Sequence, residues 1–450
     1  MQRASSYLET GNLLRRWPVI IVIGTVVWSS GVLAATLEEE LAGLLLDNPQ
    51  IRSATKTQEA QRKGIGIAKA NFFPTVSMVS ETSQELIDSP GRRNATNGEG
   101  GKPSSRTAYS QNLTITQNLF NGFQTTSQVR TARLNKEIAR IGLNNTRQNS
   151  TFEGITTYVD VLRQKRLIEL SRENEATIHR QLNLEDERVR RGSGVAIDVL
   201  QAKSRLQVAK ERRVTFEGAM IDATSRFTQT FNHPPDIDAM MDPVPPVDLI
   251  PSTLDHAIEI ALIENPSLES AGTTVEIARE RRRTIKGEFY PSVDVEGQMN
   301  YEKHANSVIG TRRDYSVKLR ASWDLFSGLS TPSSLAQAKF QHRARQDDQD
   351  QIRRKVIEQT RLSWQALLTA KARLDLLENA VSIASEVFDS RKRLREAGKE
   401  TVINVLDAEN EVNSSQINFT SAAYDERIAV YQLLLAIGRL TPTYLQLTPS

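Results

Sequence analysis

Polar and apolar residues alternate most clearly between Tyr315 and Gly328. Tyr315, Val317, Leu319, Ala321 and Trp323 are apolar or small, and Ser316, Lys318, Arg320, Ser322 and Asp324 between them are polar. Such a period of two gives a β-strand one greasy and one wet face. The stretch ends on Leu325-Phe326-Ser327-Gly328. A matching cassette lies 206 residues earlier, at Tyr109 to Gly122. There Leu113, Ile115, Gln117 and Leu119 alternate with Asn112, Thr114, Thr116 and Asn118, before Leu119-Phe120-Asn121-Gly122. About ten alternating residues is what a transmembrane β-barrel uses for one crossing. The pattern then changes to helix. Residues 335–397 hold neither Pro nor Gly, and an unbroken helix of that length is roughly 90 Å long. Leu367, Leu374, Val381 and Phe388 recur every seven residues, the spacing of a coiled-coil seam. Residues 123–191 are the earlier counterpart, which Gly142 and Gly154 are expected to loosen.

The cassettes belong to a longer internal repeat. Leu37-Glu-Glu-Glu-Leu with Asp47-Asn48-Pro49 is echoed by Leu254-Asp-His-Ala-Ile with Glu264-Asn265-Pro266, 217 residues on. Asn-Phe-Phe-Pro-Thr-Val at 71–76 is echoed, at the same offset, by Glu-Phe-Tyr-Pro-Ser-Val at 288–293. Later landmarks, such as Asp198-Val199-Leu200 and Asn404-Val405-Leu406, are offset by 206. The first copy therefore carries 11 extra residues, expected in the polar stretch Ser89 to Arg106. Each copy reads helix, strand, strand, long helix, helix. Asn48-Pro49 and Asn265-Pro266 start helices, with Pro at a permitted first-turn position. The boundaries are residues 35–235 for the first repeat, with strands about 74–82 and 109–119, and 254–440 for the second, with strands about 291–299 and 315–324. A proline-rich linker, 236–253, joins them, and 441–450 is a tail.

Composition changes this picture little. Charged residues make up 25% and apolar residues 38% of 450 residues, which suits helix-rich surfaces rather than a bundle of membrane helices. There is no cysteine, so disulfides, Cys-ligated metals and thiol catalysis are excluded. Residues 1–34 read as a signal peptide. Arg15-Arg16 precedes an apolar stretch, and Val32-Leu33-Ala34 is a cleavage pattern, with Ala35 as a second option. Cleavage after Ala34 lowers the formal charge from +3 to +1, because three arginines and one glutamate leave. The basic balance is thus no argument for nucleic acid. The five histidines are scattered, and no phosphate loop, nucleophile or cofactor motif is present. Arg281-Arg282-Arg283 reads as a solvated helix face. The sequence points to no enzyme and no cofactor.

Four strands cannot cross a bilayer alone, because open edges in hydrocarbon cost several kcal/mol per unsatisfied group. Several copies must share one barrel, with the long helices descending from it as a tube. The order and duplication of the Asn-Pro helix starts, the aromatic-Pro-x-Val strand entries and the Leu-Phe-x-Gly strand exits resemble those of the TolC-like outer membrane channels. Gly192 with Asp198-Val199-Leu200, and Gly398 with Asn404-Val405-Leu406-Asp407, extend the resemblance over about 36–440. Leu-Phe-Asn-Gly and Leu-Phe-Ser-Gly look like the type I secretion branch. The resemblance implies a mainly α fold with a β-barrel part, a homotrimer with a twelve-stranded barrel in outer membrane lipid and a periplasmic α-helical barrel. It implies an exit duct without chemistry, served by a periplasmic adaptor and an inner-membrane ABC or RND transporter, for protein secretion or drug efflux. It further implies adaptor docking at the turns Arg191-Gly192-Ser193 and Ala397-Gly398-Lys399, although their flanking residues differ from the family's Val-Gly-Leu. An anionic gate ring is implied at Asn404 and Asp407, only one of which is acidic here, and a closing contact at Asp198. Read from the residues alone, Asp407 is a surface carboxylate paired with Lys399 or Arg395, and Asp198 a helix N-cap. A rival reading is a periplasmic coiled-coil adaptor or scaffold with an uncleaved N-terminal anchor.

Overall fold

The computed structural model describes residues 36–88 and 104–445; the signal-peptide reading lies outside them. The elements are α1 Leu37–Asp47, α2 Pro49–Ala70, β1 Thr75–Ile87, β2 Ser104–Asn121, α3 Gln124–Arg190 and α4 Ala196–Phe231. They recur as α5 Leu254–Glu264, α6 Pro266–Gly287, β3 Ser292–Lys303, β4 Thr311–Ser322, α7 Ser330–Glu396 and α8 Val402–Ala436. The first two helices of each half start and end on residues offset by 217, and the long helices, 67 residues each, on residues offset by 206.

Local chemistry sets these boundaries. Thr36 and Glu39 form a capping box at α1. Asn48 caps α2 by accepting from the backbone of Gln50 and Ile51, with Pro49 in the first turn. Asn265 does the same for α6 through Ser267. Both long helices run unbroken, about 100 Å each at the α-helical rise. Gly154 does not loosen α3, contrary to the sequence expectation. A Cβ there would sit 2.8 Å from Leu44 Cδ2 and 2.9 Å from Leu41 Cδ2, so the glycine admits α1 against the long helix. The heptad residues are only partly covered: Leu367 is buried, while Leu374, Val381 and Phe388 are half-buried.

The strands form one antiparallel sheet, β1-β2-β3-β4. β1 continues to Ile87 and β2 begins at Ser104, beyond the expected 74–82 and 109–119, because pairing persists outward to Ile87↔Ser104. β4 ends at Ser322, before the expected 324, because β3 has nothing left to pair once Ser292 faces Ser322. One face of the sheet gathers Val76 and Met78, Leu113 and Ile115, Val293, Val295 and Met299, and Tyr315, Val317 and Leu319. The other carries Asn118 bonded to Asp294 (2.8 Å) and Arg320 paired with Glu296 (3.2 Å). A bulge between Asn118 and Phe120 leaves Leu119 unpaired and returns Phe120 to register with Val293.

Below the sheet, Gly122 takes φ 64° and meets Gly287 so closely that a Cβ on Gly122 would collide with the Gly287 carbonyl. α2, α3, α6 and α7 then lie side by side, each long helix also backed by α4 or α8. The main core sits midway, where Leu41, Ile155, Tyr158, Phe227, Ala261, Val430 and Leu433 interlock. The linker is strapped across this level. The Tyr158 hydroxyl donates to Met241 O (2.9 Å) and accepts from Met241 N (3.1 Å), Lys165 donates to Ile237 O, and Asp242 takes Arg427 and the Tyr424 hydroxyl. Among the described residues, no helix is long and apolar enough to cross a membrane.

Candidate gate at the helix turns

The sheet and the two helix turns lie at opposite ends of the long helices. Both turns close in the same way. Gly192 has φ 76° and Gly398 φ 74°. Ser193 N donates to Arg188 O, and Lys399 N to Leu394 O, at 3.0 and 2.9 Å. These are left-handed glycine terminations with the long-range bond that satisfies an orphan carbonyl. Arg191, Gly192, Ser193, Ala397, Gly398 and Lys399 are all exposed. The first turn also exposes three apolar residues, Val195, Ile197 and Leu200, while its counterpart Leu406 in the second is buried.

Asp198 is not the N-cap of α4. Val195 holds that place without a side-chain bond, and Asp198 falls in the first turn. There its carboxylate meets the positive end of the helix. Asp407 pairs with neither Lys399 nor Arg395. It binds Arg205 of α4 at 2.6 Å, with the aspartate side chain 48% exposed. Arg395 instead reaches from α7 to Glu185 of α3 (3.1 Å), which Arg188 also holds (2.6 Å), and donates to Glu400 O. Asn404 is engaged through both side chain and backbone. Its side-chain amide donates to Glu400, and its backbone carbonyl accepts from Arg391 (3.0 Å). The Asn404 amide and the Thr401 N–H hold the Glu400 carboxyl below its ordinary range.

At this end two ion pairs therefore tie the first helical hairpin, α3–α4, to the second, α7–α8: Glu185 to Arg395 and Arg205 to Asp407. Above them Glu409 is buried between α8 and its neighbours. Burial pushes its carboxyl up to about 7, against the pull of Gln181, Arg180 and Lys392. Neither oxygen has a hydrogen bond of ordinary geometry, and neither does the side chain of Asn413, one helical turn on. Among the described residues, no group of acidic or histidine side chains has the arrangement to hold a metal.

Sequence reasoning named Asp407, Asn404 and Asp198 and missed Glu185, Arg205 and Glu409. A signal was available. At positions 206 apart the two copies reverse charge: Glu185 against Arg391, Arg205 against Glu411, Lys203 against Glu409. Of these positions, Glu185 and Arg205 carry ion pairs between the hairpins, and Glu409 is the buried acid.

The family described as outer membrane efflux protein matches residues 41–233 and 257–439. The chain is 23% identical to the outer membrane efflux protein BepC of Brucella suis biovar 1, covering 95% of this chain and 91% of that protein. It is 23% identical to the alkaline protease secretion protein AprF of Pseudomonas aeruginosa, covering 94% and 90%. Its fold matches the Campylobacter jejuni CmeC outer membrane channel with a TM-score of 0.77 at 13% identity, over 90% of this chain and 86% of that one.

Proposed function

From the premise that this chain belongs to the outer membrane efflux protein family, we propose that it is the exit duct of a tripartite export system. Family membership makes it an outer membrane channel with a large periplasmic helical part, and not an enzyme; the scaffold reading falls with it. In the proposed system three copies close one barrel. A periplasmic adaptor docks at the turns Arg191-Gly192-Ser193 and Ala397-Gly398-Lys399, with Val195, Ile197 and Leu200 as its apolar footing. An inner-membrane ABC or RND transporter supplies the energy. Type I protein secretion fits the Leu-Phe-x-Gly strand exits and the relative named for protease secretion, with drug efflux as the other cargo class.

The observation that carries this reading is a sheet greasy on one face and polar on the other, running directly into paired helices of about 100 Å. Such a wall separates lipid from a wet lumen at one end and has length enough to cross a periplasmic space. At the far end Asp407, Asn404 and Asp198 stand at the gate. The ties Arg205–Asp407 and Arg395–Glu185 hold the two hairpins of each chain together, and opening must break them.

Single-channel recording in planar lipid bilayers tests both levels. Discrete steps are expected from the purified protein, with larger steps from a double variant, Arg205→Ala with Arg395→Ala. Steps unaltered by the double variant sink the gate assignment, and the absence of any conductance in either protein sinks the duct.

A further inference from the structure

The positive charge of this chain is gathered just below the sheet. The last 15 residues of α2 and α6 and the first 15 of α3 and α7 hold 14 Lys or Arg against 4 Asp or Glu, a net of +10 where the whole chain has +3. The rest of the molecule is therefore net negative. Both copies contribute. Arg62 and Lys69 of α2 recur, 217 residues on, as Arg279 and Lys286 of α6, and Arg133 of α3 recurs, 206 residues on, as Lys339 of α7. At the turn end equivalent positions reverse sign, but these three pairs all keep theirs. The six side chains are exposed. Arg62 and Arg279 pair with Glu59 and Glu276 of their own helices, at 2.7 and 3.3 Å, and such exposed pairs leave most of the charge available. Among the described residues, Lys69, Arg133, Lys286 and Lys339 have no hydrogen bond or ion pair.

The strap across the middle fixes which side of the helix layer these cations face. Arg133 and Tyr158 are 25 residues apart, about seven turns at 3.6 residues per turn, so they stand on one side of α3. Tyr158 is where the linker is fastened. In a duct the strap lies outside the lumen, so Arg133 faces outward. Arg130, one turn away, and Arg283 of α6 both reach the buried Glu280 at the seam between the two helices. Arg283 shares its face of α6 with Arg279 and Lys286, at the spacing of one helix stripe. On the other side of that seam Gln128, Asn135, Arg281 and Thr284 line a groove of about 450 Å³. The solvated triplet Arg281-Arg282-Arg283 is thus divided between the two sides. By the repeat, Arg62 and Lys69 face as Arg279 and Lys286 do, and Lys339 as Arg133 does.

Toward the sheet the neighbours of these cations are aromatic. Phe72, Phe73, Phe289, Tyr290, Trp323 and Phe326 are all exposed at the joint between strands and helices, and aromatic girdles are set at the boundary of lipid and water. Lys69 and Lys286 stand one residue before the ends of α2 and α6, beside this girdle. The other four lie eight or nine residues from the joint, about 12 to 14 Å along the helices. We propose that the six cations form an outward collar that binds the headgroups of anionic phospholipid in the leaflet on the helical side. Their long apolar stems let the lower four lift their charges toward the headgroups, and the remaining gap is within reach of a basic side chain's attraction for an anionic surface. This rests on the duct proposed above and names the lipid in which it is seated.

Trp323 reports on this place. Its indole donates to Phe289 O at 3.2 Å, and Trp364, the other tryptophan among the described residues, lies about 50 Å down α7. The purified protein is reconstituted in vesicles of phosphatidylcholine with phosphatidylglycerol, in which either the neutral or the anionic lipid is brominated, and tryptophan quenching is compared. The expected result is quenching that reports phosphatidylglycerol about fivefold enriched at the joint. The enrichment should vanish at 1 M salt, which needs no substitution, and in the variant Lys69→Gln, Arg133→Gln, Lys286→Gln, Lys339→Gln. Arg281→Gln, on the other side of the layer, should leave it unchanged. Equal quenching by the two lipids in the wild type, or an enrichment that survives both salt and the fourfold variant, overturns the collar and leaves the duct standing. Loss of the enrichment in Arg281→Gln overturns its outward placement. A Trp323 that neither lipid quenches lies outside the bilayer, and overturns the duct as well.

Discussion

The middle of the molecule and its turn end are built from the same helices by different means. At the middle, α1, α3, α4, α5 and α8 bring together side chains with almost no exposure: Ile155, Tyr158, Phe227, Val430, Leu433 and Leu434. At the turn end the apolar clusters shrink to Ile178 with Leu206 and Ala209, and Ala202 with Val402 and Leu406. There arginine–carboxylate pairs and a buried acid hold the hairpins. Apolar burial holds no charge to screen or titrate, whereas ion pairs weaken with ionic strength and buried acids respond to pH. The contrast teaches that the middle rests mainly on apolar burial and the turn end mainly on charge.

Substitutions and pH can break that contrast, beginning at the middle. Phe227 is fully buried and stacks on Phe231 at 4.4 Å. Phe227→Ala is expected to cost about 4 kcal/mol, read as a lower melting temperature of the whole protein. At the turn end the largest effect is pH. The folded Glu409 carboxyl lies at about 7, above its unfolded value of 4.5, so the folded state holds this proton more tightly. The associated stability is full below about pH 4.5, falls as pH rises to about 7 and is flat beyond, a change of at most about 3 kcal/mol. Hydrogen exchange in α8 near Glu409 should quicken over that window in the wild type and lose this dependence in Glu409→Gln. Arg395→Ala leaves the buried Glu185 with Arg188 alone and should cost about 2 kcal/mol, seen as faster exchange at the end of α7 with an unchanged melting temperature. Gly398→Ala forces a side chain into the left-handed region and should cost about 1 kcal/mol, confined to the second turn. Asp407→Ala removes a half-exposed pair worth less than about 1 kcal/mol. It should barely move stability, and a change in cation selectivity is its expected signature.

The repeat made most of the fold legible. Asn-Pro pairs, strand alternation and the two offsets locate the helices and the four strands, because caps and period-two patterns act over a few residues. The candidate gate was only partly legible. Gly154 looked like a flaw because its reason, Leu41 and Leu44, lies over a hundred residues away. Asp407 was given partners on its own hairpin, yet it meets Arg205, 202 residues distant. Over a helix of 67 residues, a small error in residues per turn rotates the far end to another face. The pairing of two long helices therefore could not be phased from sequence alone.

The strap from Ile237 to Asp242 has a consequence for how the duct is put together. By tying both hairpins to one length of backbone, it turns half of the contacts in a closed ring into encounters within one molecule. Such encounters proceed at a high effective concentration whatever the number of chains present. In the three-chain duct proposed above, ring closure then needs three molecules to meet rather than six, and its yield falls far less steeply when the protein is scarce.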